Sequence, residues 1–284
     1  MDLRIEQTGF RDCCRLVAVL LSTAAIVSAA CPPPLRPMGV ANVVNAASFK
    51  TGISSNSLFS IFGQEFTPAG FGRQAGADDL VGGKFPTELA CIAVEVDGER
   101  VPITYAGGVQ INAQAPTHPL PNPVRVTVIR NPGQSDEVRA FLDGVQTQPY
   151  APAFFTFDGR MIAAQSTQYA PLSDPGKPPF GRRATPGEVV LLYANGFGYT
   201  EPVWQAGEIT DRISWLKDPV EISIGGVTLA PQDIYYTGLG FGAISGLYQF
   251  NVRVPAQLEP GDAQVIIRIG GYQTQPEAVL PVGN

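Results

Sequence analysis

The sequence predicts an all-β protein: two tandem immunoglobulin-like antiparallel β-sandwiches from an internal duplication, preceded by a signal peptide. Three observations carry that expectation. The 284 residues include 31 glycines and 26 prolines but only 15% charged residues, against roughly 25% in an average globular chain, which excludes helical bundles and coiled coils. Hydrophobicity alternates with a period of two between Gly-containing turns, as half-buried strands require. The second half also repeats the first. At 44% hydrophobic residues and without charge blocks, the chain has enough apolar surface to build cores, and its length suits two domains of ordinary size.

From the N-terminus, Arg11 and Arg15 precede an apolar run over 16–27 that ends in Ser28-Ala29-Ala30. A basic start, a short apolar stretch and a small-x-small end describe a secretory signal peptide over 1–30. The run falls short of the about 20 residues a transmembrane helix needs, and no later stretch is long and apolar enough, so no transmembrane segment is expected. Cleavage near Ala30 removes Cys13 and Cys14 and leaves Cys31 and Cys91 in an oxidising compartment. A disulfide between these two, pinning an N-terminal arm to the first domain, follows naturally. Lipidation of Cys31 in the manner of bacterial lipoproteins, or two free thiols, are the alternatives.

The first sandwich is expected over 31–148 and the second over 149–284. Within the first, Gln110-Ile111-Asn112-Ala113-Gln114-Ala115-Pro116 returns in the second as Gln249-Phe250-Asn251-Val252-Arg253-Val254-Pro255. Tyr105-Ala106-Gly107 returns as Tyr236-Thr237-Gly238, and the strand at 58–66 returns at 189–197. Asp97-Gly98 and Gly225-Gly226 sit at matching hairpins, where primed turns need the positive φ that glycine accepts; Asp158-Gly159 reads the same way. The second copy carries an insertion, Leu239-Gly240-Phe241-Gly242-Ala243-Ile244-Ser245-Gly246, and a Pro-rich stretch over 169–186 reads as a long surface loop. Gln110, Asn112 and Gln114 share one face, as do Gln249, Asn251 and Arg253. The matched amides are expected to satisfy backbone groups or join the domains.

Several motifs, taken in order, carry a resemblance. Val43-Val44-Asn45-Ala46-Ala47-Ser48-Phe49, Leu58-Phe59-Ser60-Ile61-Phe62-Gly63, Gln110-Ile111-Asn112, Ala151-Pro152-Ala153-Phe154-Phe155, Pro186-Gly187-Glu188, Asn195-Gly196-Phe197-Gly198 and Gly246-Leu247-Tyr248-Gln249-Phe250-Asn251-Val252 are similar to the uncharacterised C-terminal domain family first noticed in secreted Solibacter proteins. The resemblance covers nearly all of the chain after the signal peptide. It implies an exported acidobacterial β-sandwich and no particular chemistry.

Few residues carry the marks of a catalytic or metal site. His118, the one histidine, lies in Pro116-Thr117-His118-Pro119 without a Gly-x-Ser-x-Gly elbow to supply a nucleophile. Gly238-Leu239-Gly240-Phe241-Gly242 lacks the following helix that a dinucleotide site needs and reads as a hairpin. Asp78-Asp79, and Asp211 with Asp218, are the nearest candidates for the paired carboxylates of glycoside cleavage, with solvated loop charges as the default. No Cys/His cluster or calcium loop is present, so no metal or cofactor is expected. A net charge of −6 and a pI near 4.9 argue against nucleic acid and anionic lipid. Trp204 and Trp215 lie in a loop-like stretch and are the candidate ligand contacts, since exposed rings stack on sugars. The residues point to a non-catalytic exported protein for adhesion, surface assembly or binding of an extracellular polysaccharide or surface protein. A carbohydrate-active enzyme, or a structural subunit of an envelope complex, is the alternative.

Overall fold

Side-chain alternation decides which face of each strand is buried. In the Tyr248–Arg253 strand, Tyr248, Phe250 and Val252 are fully buried while Gln249, Asn251 and Arg253 are partly exposed. In its repeat, Gln110–Gln114, Ile111 and Ala113 point inward. The computed structural model describes Cys31, residues 36–68 and residues 70–283; the signal peptide expected over 1–30 lies outside them.

The structure is all-β. One sheet of the first sandwich runs in the order Gly39–Asn45, Leu58–Gln64, Gln110–Gln114, Ile103–Ala106, Arg73–Gln74. Its partner runs Val138–Val145, Val124–Arg130, Ile92–Val96, Glu88–Leu89. Phe59, Ile61 and Ile111 from the first and Ile92, Val94 and Val128 from the second share a single core. The second sandwich repeats this plan: Val189–Asn195, Tyr248–Arg253 and Ile234–Leu239 pair antiparallel in that order, opposite Glu221–Ile224 beside Gly261–Ile269. Its core is separate and includes Phe154, Leu192, Phe250, Ile222 and Val265. The duplication extends to irregularities, since the register shifts between Ile103 and Tyr105 in one copy and between Ile234 and Tyr236 in the other. Such bulges are positioned features that re-aim side chains.

The hairpin turns follow the sequence with one difference. Asp97 and Gly98 (φ 49° and 85°) and Gly225 and Gly226 (φ 58° and 80°) adopt the left-handed conformations of a primed turn. At Asp158-Gly159 the loop is wider, because the Asp158 carboxylate accepts from the backbone N–H groups of Arg160 and Met161 at 3.0 and 2.6 Å. The Pro-rich stretch also departs from a plain surface loop. Leu172 and Ala184 are fully buried, and Pro171–Leu172 pairs with Ala164–Ser166. Leu172 and Ala184 extend the core where the prolines around them conceal the alternation.

A polar joint connects the sandwiches, whose described residues from 36 onward belong to one compact unit. Asn45 Nδ2 donates to Ala151 O at 2.8 Å. The Asn195 amide takes both backbone groups of Leu58, donating at 2.7 Å and accepting at 2.8 Å. Gln114, which alternation grouped with the outward-facing Gln110 and Asn112, is fully buried here. Its Nε2 donates to Asn56 Oδ1 and Ser245 Oγ at 2.9 and 3.1 Å, and its Oε1 accepts from Gly207 N at 2.7 Å. The strand face that carries Gln110 is open along most of its length, but at its end the second sandwich covers it. Gly246 fits this contact because a Cβ there would stand 2.8 Å from Asn56 O.

Cys31 and Cys91 are both disulfide-bonded, which selects that alternative for the pair in this structure. Among the described residues no helix is long and apolar enough to cross a membrane.

Candidate functional site

The outer face of the second sandwich carries a groove of about 290 Å³, walled by side chains from three neighbouring strands and two loops. Trp215 lies on the Trp215–Leu216 strand, directly opposite Gly238. A Cβ at position 238 would collide with Ser214 O and stand 2.6 Å from the Tyr236 hydroxyl, so only glycine lets these strands and rings come together. Gly107 has the same relation to Tyr105 Oη, at 2.5 Å. The Tyr236 hydroxyl lies 2.9 Å from Ser214 O and 2.8 Å from Leu239 O, and burial raises its pKa. That anchored ring meets Trp215 edge-on, with centroids 4.8 Å apart, which holds the indole in place.

The inserted loop completes the wall. Thr210 N donates to Ala243 O at 2.9 Å, Gly242 N donates to Thr210 O at 2.8 Å, and Ser245 N donates to Glu208 O at 2.9 Å. Clamped in this way, the loop holds Phe241 at its tip with 75% of its surface exposed. Ile213, Trp215 and Tyr235 are 66%, 47% and 44% exposed and border the same groove. Single exposed apolar residues are ordinary, but a contiguous group of this kind is a candidate binding surface. Arg253 donates to the Tyr235 hydroxyl and lies 5.3 Å from its ring centroid.

Gln249 and Asn251 supply the polar floor, with Gln249 Nε2 donating to Asn251 Oδ1 at 2.8 Å. Gln110 and Asn112 make the same bond at 2.8 Å in the first sandwich, where Ser60 Oγ also donates to Asn112 at 2.9 Å. Asn251 pairs instead with Leu191, which has no hydroxyl to offer. The second floor therefore keeps more unused hydrogen-bonding capacity than the first. These rows satisfy each other and line a surface; the amides that join the sandwiches are Asn45, Asn56, Gln114 and Asn195.

The structure separates the two tryptophans that the sequence singled out. Trp204 is 7% exposed and belongs to the second core, because the stretch that carries it folds back over the sheet. Arg212 covers its ring, with the guanidinium carbon 4.7 Å from the centroid. Trp215 alone of the pair opens into the groove. To the contacts that the sequence predicts, the structure adds Phe241, Tyr235, Ile213, Arg212 and the Gln249–Asn251 floor. The available signal was Phe241 between two glycines in an insertion that only one copy has.

The remaining candidates have local partners. His118 Nε2 lies 2.6 Å from Glu99 Oε2 on the surface, and its pKa is raised by the Pro119 carbonyl and by Glu99. Asp79 forms a two-pronged pair with Arg73 at 2.6 Å and accepts from Gly76 N, which lowers its pKa to about 2. Asp218 accepts from the Tyr150 hydroxyl at 2.7 Å. Asp211 is exposed beside Arg212, at 3.5 Å. Gly238 to Gly242 spans the end of one strand and the start of the hairpin loop, as expected. Among the described residues no group of three or more His, Cys, Asp or Glu side chains is arranged to hold a metal ion.

No family model matches the chain, and no curated protein matches it. Among solved structures, it is similar to the Bacteroides ovatus protein SGBP-B of the mixed-linkage glucan utilization locus, in complex with a mixed-linkage heptasaccharide. The two share 15% identity and a TM-score of 0.24, over 84% of this chain and 43% of that one; this chain thus spans less than half the length of that protein. It is also similar to the C-terminal domain of the Streptococcus agalactiae AgI/II polypeptide BspA, at 9% identity and a TM-score of 0.20, over 87% of this chain and 100% of that one. At these scores neither likeness carries the functional argument, which rests on the groove.

Proposed function

We propose that this protein is exported and non-catalytic, and that it binds an extracellular polysaccharide along the groove of its second sandwich. The observation that carries the reading is the combination of a fixed Trp215, an exposed Phe241 and Tyr235, and an amide floor at Gln249 and Asn251. A sugar ring has an apolar face of C–H groups and a rim of hydroxyls. Aromatic walls take the first and side-chain amides the second. Among the described residues no Asp or Glu lines the groove, so the two carboxylates that glycoside cleavage employs have no counterpart among the side chains that line it. The disulfide-bonded cysteines accord with export.

The test is a panel of soluble polysaccharides run by affinity electrophoresis against the wild type, Trp215→Ala and Phe241→Ala, with reducing-end release measured in parallel. The reading expects retardation by at least one polymer, lost in both variants, with no sugar released. Turnover of a retarding polymer would contradict it, as would retention of binding in both variants.

A further inference from the structure

Among the described residues the groove wall contains one full charge, and it is positive. In a chain with 25 acidic and 19 basic residues, Arg212 lines the groove and, among the described residues, no carboxylate does. Its guanidinium lies 4.7 Å from the centroid of the Trp204 ring, and that ring is 7% exposed and anchored in the core. Its one ion-pair partner among the described residues is the adjacent Asp211, at 3.5 Å through a single nitrogen. Asp211 is outside the wall, and its side chain is 73% exposed. The fork of Arg212 is thus held in orientation by stacking and is not engaged by a two-pronged carboxylate. Arg182, by contrast, grips Glu188 through both nitrogens at 2.8 and 2.7 Å.

We propose that the polymer is an acidic polysaccharide, with Arg212 receiving the carboxylate or sulfate of a sugar whose apolar face lies against Trp215. This rests on the polysaccharide reading and narrows it to one class. A guanidinium fork matches planar carboxylate and sulfate oxygens. A neutral sugar laid over it would strip water from a cation and return no opposite charge, which is unfavourable. Because Trp204 orients the fork before binding, little rotamer entropy is lost when the anion arrives. Gln249 and Asn251 remain for the hydroxyls.

The experiment measures the affinity of the full chain for a polyuronate, a sulfated glycan and a neutral β-glucan, at low and high salt, for the wild type, Arg212→Gln and Arg212→Lys. The expected result is preference for an acidic polymer, weakened by salt and reduced about tenfold in Arg212→Gln, with partial retention in Arg212→Lys. The polyuronate and sulfated arms tell carboxylate from sulfate. Thermal melts establish that the variants fold; should Arg212→Gln unfold, the wild-type preference and its salt dependence decide. Equal or tighter binding of the neutral polymer would overturn the acidic assignment and leave the polysaccharide reading standing, as would unchanged affinity in a folded Arg212→Gln. Binding to none of the three polymers would overturn both.

Discussion

Replacing Gln114 by leucine tests the polar joint, because it keeps most of the side-chain volume and removes every hydrogen bond the amide makes. In the native structure the side chain is fully buried. Oε1 accepts from Gly207 N at 2.7 Å, and Nε2 donates to Asn56 Oδ1 at 2.9 Å and Ser245 Oγ at 3.1 Å. Asn56 Oδ1 retains Thr117 Oγ1 at 3.3 Å, and Ser245 Oγ still donates to Gln205 O at 2.8 Å. Gly207 N is left stranded, and Asn56 O loses the Nε2 donor that it accepts from at 3.1 Å. One buried unsatisfied donor costs about 1 to 3 kcal/mol, and the weakened contacts at Asn56 and Ser245 add about 1 more, giving roughly 3 kcal/mol in total. Urea unfolding followed by tryptophan fluorescence measures this, since both tryptophans lie in the second sandwich while Gln114 lies in the first. Because the joint ties the two cores together, the wild type should unfold in one transition, and Gln114→Leu should lower its midpoint. Gln110→Leu, on the open face of the same strand, should change stability by under about 0.5 kcal/mol. Equal effects of the two substitutions would refute the reasoning, and so would no effect of Gln114→Leu.

Three further outcomes follow. Breaking the disulfide with Cys31→Ser and Cys91→Ser should cost about 2 to 4 kcal/mol, read as the same drop in urea midpoint that reductant produces on the wild type. The folded pKa of His118 is raised by Pro119 O and Glu99, so its contribution is full below the unfolded value near 6.5 and fades as pH rises through the folded pKa. Both side chains of the pair are more than half exposed, so the effect is small; Tm against pH from about 6 to 8 should fall slightly more steeply in the wild type than in His118→Ala. Gly238→Ala should destabilise the protein by about 1 to 3 kcal/mol through overpacking against Ser214 and Tyr236 and should also abolish polysaccharide binding. Melting curves and affinity gels on one preparation check both halves of that statement.

The strands were legible because each reports its own burial through alternation, and the duplication because Gln249, Asn251 and Pro255 repeat Gln110, Asn112 and Pro116. The joint was not legible. Gln114 obeys the outward rule of its strand, and only the approach of a distant segment at Gly207 and Ser245 turns that face inward. Trp204 and Trp215 share a loop-like context in the sequence, yet the first fills the core and the second lies against Gly238, a distinction set by how that stretch folds back. The groove draws its residues from 212–215, 235–241 and 249–251, and no local pattern ties those stretches together. Its one local cue is the insertion around Phe241, which carries no charged side chain.

The most direct test of the account is a footprint of the bound polymer. Carbene or hydroxyl-radical labelling, with and without a saturating oligosaccharide from the tightest polymer of the panel, should show protection at Trp215, Tyr235 and Phe241. Phe141 and Phe49, exposed on the first sandwich, should be labelled equally in both states. Protection of the first sandwich with the Trp215 groove unchanged would contradict the account.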